Sequence, residues 1–161
     1  MTSTFESTAS PGRASRLLAP YRPRVSPRWL SLGWSIWAMT ACLSYLGTEP
    51  SALDPVSNLI PGMSLALMWA LVALVLFVGA VLPPRAGAVG RISLYARLVG
   101  VVVLAALLAA WGATYLVDSA MQGGGRMWVS GKNYAALAIA ATASAAHIAR
   151  HKAPPKEVPQ R

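Results

Sequence analysis

A chain of 161 residues that is 55% hydrophobic and only 12% charged, with a net charge of +9, does not read as a water-soluble domain. Residues 29–48, 55–84, 98–117 and 133–149 hold no Asp, Glu, Lys or Arg, and about 20 apolar helical residues cross a hydrocarbon core of about 30 Å. The links between four such segments are too short for a second core. The expected fold is therefore all-α, a four-transmembrane-helix bundle over 29–150 between disordered basic tails at 1–28 and 151–161.

Residues 1–28 are rich in Ser, Thr, Pro and Arg, and prolines 11, 20, 23 and 27 interrupt any continuous helix. Arg and Ser with a single acid, Glu6, also suit an organellar transit peptide, but the prolines remove the amphipathic helix such a peptide needs. The first span, 30–46, has Trp29 at one membrane boundary and Tyr45 near the other, where aromatic rings are favoured. Gly33 beside Trp34 and Trp37 marks a packing face. Met39-Thr40-Ala41-Cys42 is close to a bacterial lipobox, yet 28 residues precede the apolar run and three spans follow, so it reads as a retained span. Cys42 is the single cysteine, which excludes an internal disulfide.

After the first span, Asp54-Pro55 is a helix-start signal, Asp capping the first amides and Pro at N1 lacking a donor that would be orphaned anyway. It predicts a short turn at the outer interface, broken by Pro61-Gly62. The second span, 63–82, is the most apolar; Pro83-Pro84 stops it and Arg85 anchors its end. In the third span, 94–117, Arg97 can snorkel to the inner interface. Ala105, Ala106, Ala109, Ala110, Gly112 and Ala113 give that span faces of small residues, which let helices approach closely in lipid. Gly123-Gly124-Gly125 predicts a flexible outer connector, with Trp128 at the outer interface. The fourth span, 133–149, is mostly Ala and gains little from transfer into hydrocarbon, so its neighbours must hold it. Its pairs Ala136/Ala140 and Ala141/Ala145 have the small-xxx-small spacing. Gly33, Ala106, Ala110, Ala136, Ala140 and Ala145 are the expected helix-packing positions, and Arg150 anchors the last span.

The basic residues set an orientation. Five lie before the first span, none in the first loop, three in the second, two in the third and four after the fourth span. With both termini cytoplasmic, 12 of the 14 basic residues lie inside, which fits the positive-inside rule and a multi-pass protein of the cytoplasmic (inner) membrane. The same charge could suggest nucleic acid, but the basic tails carry only Tyr21 for stacking, and residues flanking spans meet anionic headgroups.

Catalytic chemistry is missing from the pattern. Chemistry or ion coupling inside a membrane uses buried ionisable groups, whereas all five carboxylates fall in tails, loops or, for Asp118, at a span end. The stretch Gly125 to Lys132 misses the phosphate-loop spacing by one residue and has Asn133 where a metal-binding hydroxyl belongs. His147 and His151 are four apart but have no third ligand and sit beside Arg150 and Lys152. The intraspan hydroxyls have no base within reach other than His147, near the opposite face from Ser44. No catalytic, metal or cofactor-binding residue is expected, and the chain does not read as an enzyme.

Several local patterns between Trp29 and Arg150 point to one kind of protein. They are Leu43-Ser44-Tyr45-Leu46 closing a Trp-rich span, and Pro61-Gly62 leading to Leu67-Met68-Trp69-Ala70-Leu71 and Gly79-Ala80. Trp111-Gly112-Ala113-Thr114-Tyr115-Leu116 follows, then Gly125-Arg126-Met127-Trp128 before the Ala-rich span. In these the chain resembles small four-span membrane proteins of actinobacterial phages, often encoded near lysis genes, from which holins are drawn. The excess of Arg over Lys, 11 to 3, also fits a GC-rich genome. The resemblance implies no cofactor, a homo-oligomer in the bilayer, and timed permeabilisation of the membrane. The alternative is an accessory or anchoring subunit whose partner is another membrane protein.

Overall fold

The computed structural model describes residues 25–46, 56, 60–83, 87–122 and 126–150, and these form four α-helices and no strand. Helix α1 runs Pro27–Tyr45, α2 Gly62–Val81, α3 Ala88–Met121 and α4 Arg126–Arg150. Ser26 caps α1, its hydroxyl accepting from the Arg28 amide at 3.4 Å, and Pro27 occupies the first helical position, where a missing N–H costs nothing. The Pro61 carbonyl accepts from the Ser64 and Leu65 amides to open α2. That helix stops at Leu82, held extended (φ −61°, ψ 129°) because the residue before a proline is pushed out of the helical region. The chain then turns through Gly87, whose φ of +101° is open to glycine and strained for other residues, into α3.

The helices outrun the expected spans where charge had ended them. The third begins at residue 88 rather than 94 and the fourth at 126 rather than 133. Charge terminates a hydrocarbon crossing but not a hydrogen-bonded helix, since Arg and Lys are good helix formers. Arg126, Trp128 and Lys132 therefore lie on α4, not in an outer connector. Among these helices α2 and α3 are long and apolar enough to cross a membrane. Ser31, Ser35, Thr40 and Ser44 lower the apolarity of α1, and Arg126, Lys132, Asn133, His147 and Arg150 that of α4. The Ile60 amide donates to the Val56 carbonyl at 3.1 Å. The rest of the turn expected after Asp54 lies outside the described residues, as do Arg85, the Gly123–Gly125 connector and residues 1–24 and 151–161. At the end of the tail expected to be disordered over 1–28, Pro27 and Arg28 instead open α1.

The packing is that of two helix pairs. Helix α1 packs along α2 and α3 along α4, with α2 against α3 joining the pairs. A few contacts cross from α1 to α3 and α4, and among the described residues the backbones of α2 and α4 do not come close. The core is built on Leu65, Trp69 and Leu76 of α2 against Val101, Leu104 and Leu108 of α3. Through it runs a chain of edge-to-face indoles, Trp34–Trp37–Trp69–Trp111, with successive centroids 6.4, 5.6 and 5.4 Å apart. That geometry sets a positive ring edge on a negative ring face and adds to the area buried.

Four glycines set the helix spacing. A Cβ on Gly79 would stand 2.9 Å from the Arg97 backbone nitrogen, and one on Gly100 would stand 2.8 Å from Leu76 Cδ2. Between α3 and α4, a Cβ on Gly112 would meet the Ala135 nitrogen at 3.2 Å, and one on Gly131 would meet Leu116 Cγ at 2.7 Å. Gly33 differs: nothing lies within 4 Å of its Cβ position, so it makes no close approach within the chain.

These environments set the sign of two substitutions. Gly79→Ala forces α2 off the α3 backbone and should destabilise the chain by about 1–3 kcal/mol. Gly33→Ala meets open space in mid-helix and should stabilise by roughly 0.5–1 kcal/mol. Thermal unfolding of the two purified variants against wild type checks both; equal midpoints would disprove the close approach at Gly79.

Candidate functional site

A helix ends with four carbonyls that have no partner within it. In α2 the Leu82 amide takes the Val78 carbonyl, which leaves those of Gly79, Ala80, Val81 and Leu82. Side chains from two other helices bond all four. Arg97 Nε donates to Gly79 at 2.6 Å and its Nη2 to Leu82 at 3.2 Å. Arg28 Nε donates to Ala80 at 2.9 Å and its Nη2 to Val81 at 3.3 Å. Ser93 Oγ lies 3.2 Å from the Gly79 carbonyl and 3.0 Å from that of Leu82, and accepts from Arg97 Nη2 at 2.6 Å. The Pro83 ring cannot extend α2, so cross-helix donors take the place of a following turn. Positive charge here also complements the negative end of the helix dipole.

The burial is unusual for a charge. Arg97 is 5% exposed, enclosed by the α2 terminus, and is thus a structural clamp rather than an extended interface anchor. Beside it, Ser26, Arg28, Trp29 and Leu32 of α1 face Ala80 and Val81 across a groove of about 430 Å³. Trp29 stands on its lip, 69% exposed. His147 of α4 reaches the same end, Nε2 lying 3.0 Å from the Val25 carbonyl.

Other polar groups link helices or fold back on their own. Ser35 Oγ donates to the Ala73 carbonyl at 2.8 Å, Trp34 Nε1 to Ser144 Oγ at 3.1 Å, and Trp111 Nε1 to the Tyr45 hydroxyl at 3.2 Å. The hydroxyls of Thr40, Ser44, Thr114, Thr142 and Ser144 donate to carbonyls three or four residues earlier on their own helices. A cavity of about 210 Å³ lies between Tyr45 and Tyr134, walled by Trp37, Thr40, Ser44 and Trp69. Trp69 Nε1 and Ser31 Oγ are buried without a hydrogen-bond partner. Among the described residues no cluster of His, Cys, Asp or Glu could hold a metal ion. Asp118, the one described carboxylate, accepts from Gln122 Nε2 at 2.7 Å.

The expected helix-packing positions divide by face. Ala145 is buried in the core, whereas Gly33, Ala106, Ala110, Ala136 and Ala140 point away from the chain's own helices. Trp29, Trp128 and Arg150 are exposed at helix ends, and Tyr45 is half-buried against Trp111. Sequence reasoning missed Arg28 as a cap, Ser93, and the glycines at 79, 100 and 131. A signal for one pair was present: Ser93 and Arg97 are four apart, hence on one face of an apolar helix.

Removing the clamp exposes its role. Arg97→Leu leaves the Gly79 carbonyl to Ser93 alone and weakens the hold on Leu82, and should cost about 2–4 kcal/mol. Arg28→Leu frees carbonyls closer to water and should cost about 1 kcal/mol. Denaturant unfolding of both variants measures the order, and a larger loss for Arg28→Leu would contradict it.

No family model matches this chain, and no curated protein or solved structure is significantly similar to it.

Proposed function

We propose that the chain is a four-span protein of the cytoplasmic membrane, both termini inside, that acts without catalysis by associating through its helices, in the manner of a holin. The observation that carries the membrane reading is the outer surface. In the most apolar stretches of α2 and α3 only 44% and 39% of residues are buried. Leu67, Leu71, Leu74 and Phe77 of α2, and Val99, Val102 and Val103 of α3, face outward. A core helix of a soluble protein would hide such residues, since large apolar patches on a soluble monomer are rare. Charge agrees: Arg97 and Asp118 bracket an uncharged stretch about 32 Å long, close to the hydrocarbon thickness.

Association is supported by what α3 and α4 present outward. Ala106 and Ala110 on one, and Ala136 and Ala140 on the other, are exposed small residues at four-residue spacing. In lipid, helices gain little from burying apolar area against each other, so close approach over small residues supplies the contact. No Asp, Glu, Lys or Arg that could couple ion transport lies between Leu98 and Val117 or between 133 and 149.

The test is membrane depolarisation, read by a voltage-sensitive dye after induced expression in a bacterial host. Wild type should show a delayed, abrupt collapse. Ala140→Leu, a change on an exposed face that leaves the core intact, should delay or abolish it. An inserted protein with the potential preserved would reject permeabilisation and favour the accessory-subunit reading.

A further inference from the structure

Among the described residues, the end of α2 carries more positive charge than its neighbours neutralise. Two guanidiniums bond one turn of helix, whose dipole supplies only about half a negative charge. The one described carboxylate, Asp118, lies at the other end of α3. Arg97 commits three of its five N–H groups, to Gly79, Leu82 and Ser93. Arg28 commits two, to Ala80 and Val81, and keeps three. In water this excess would be hydrated. At the rim of a hydrocarbon layer it favours an anion, because charge there is costly unless paired.

The groove beside Arg28 has the form of an amphiphile's site. Its charged end is the guanidinium, its wall is Leu32 and Val81, and Trp29 stands exposed on the lip. Indoles favour the level where headgroups meet acyl chains. A volume of about 430 Å³ exceeds what a phosphate group alone fills. A free phosphate would satisfy Arg28 and leave the apolar wall uncovered. We propose that this groove holds one anionic phospholipid, its phosphodiester on Arg28 and one acyl chain along Leu32 and Val81. The proposal rests on the membrane reading above.

Native mass spectrometry of the full-length protein in non-ionic detergent tests it, with phosphatidylglycerol and phosphatidylcholine of matched chains as probes. Wild type should retain one phosphatidylglycerol with about tenfold preference, the scale of one charge-assisted contact, and inorganic phosphate should not displace it. Arg28→Gln should bring the preference close to unity. Leu32→Glu should do the same by placing a carboxylate on the groove wall, while leaving the bonds to the α2 carbonyls in place. Equal retention of the two lipids by wild type, or a preference that survives both variants, would overturn the proposal. Displacement by inorganic phosphate would assign the groove to a free anion and overturn it as well. Alkaline carbonate extraction from phosphatidylcholine vesicles separates the two readings. Release of wild type would reject the membrane reading itself, whereas retention without lipid preference would reject the groove alone.

Discussion

The structure depends on how one helix is allowed to end. A helix terminus that is shielded from water must find donors for four carbonyls, and an unmet carbonyl in an apolar setting costs on the order of a few kcal/mol. In α2 the proline after Leu82 prevents further helical bonding, and Arg28, Arg97 and Ser93 bring donors from α1 and α3. One requirement thereby fixes three helices at a common end. The close contact of Gly79 with the Arg97 backbone follows from it, because the guanidinium reaches the Gly79 carbonyl only when α2 and α3 nearly touch.

Away from that end, aromatic rings fill the core. The indoles of Trp34, Trp37, Trp69 and Trp111 come from three helices and step across the core edge to face. Small residues dominate the α3–α4 seam instead, with Gly112 and Gly131 opposed to backbone or to Leu116, and Tyr115 stacked on Tyr134 at 5.5 Å. One pair is held by side-chain volume and the other by close backbone approach. Helix α1 meets α4 only sparsely, and the cavity walled by Tyr45 and Tyr134 lies at that seam.

These features bear on function through the outward faces. The outward faces of α2 and α3 carry Leu, Val and Phe, and those of α3 and α4 also carry exposed alanines, an exterior that the proposed membrane reading sets against another apolar phase. Lipid suits the bulky face, and a second helix suits the alanine face, where close approach is open. The arginine groove adds a polar foothold at one end.

How much of this was legible follows from the range of each interaction. Helix number, their approximate centres and the stop at Pro83 are local properties of composition and backbone sterics, so the sequence by itself determined them. It also determined that Arg97 sits on an apolar helix, and which residues are small. Helix ends were less legible, because the absence of charge reports solvent preference rather than hydrogen bonding; α3 and α4 run on past Arg91 and Lys132. Tertiary structure alone decided which way each small residue faces. Ala136 and Ala145 look alike in sequence, yet one points outward and the other into the core, since their angular positions on α4 differ and only the neighbouring helices define the inside. It also decided that Arg28 and Arg97, 69 positions apart, share one helix terminus. That pairing arises because α2 cannot satisfy its own last carbonyls, and which donors reach them depends on where α1 and α3 pack.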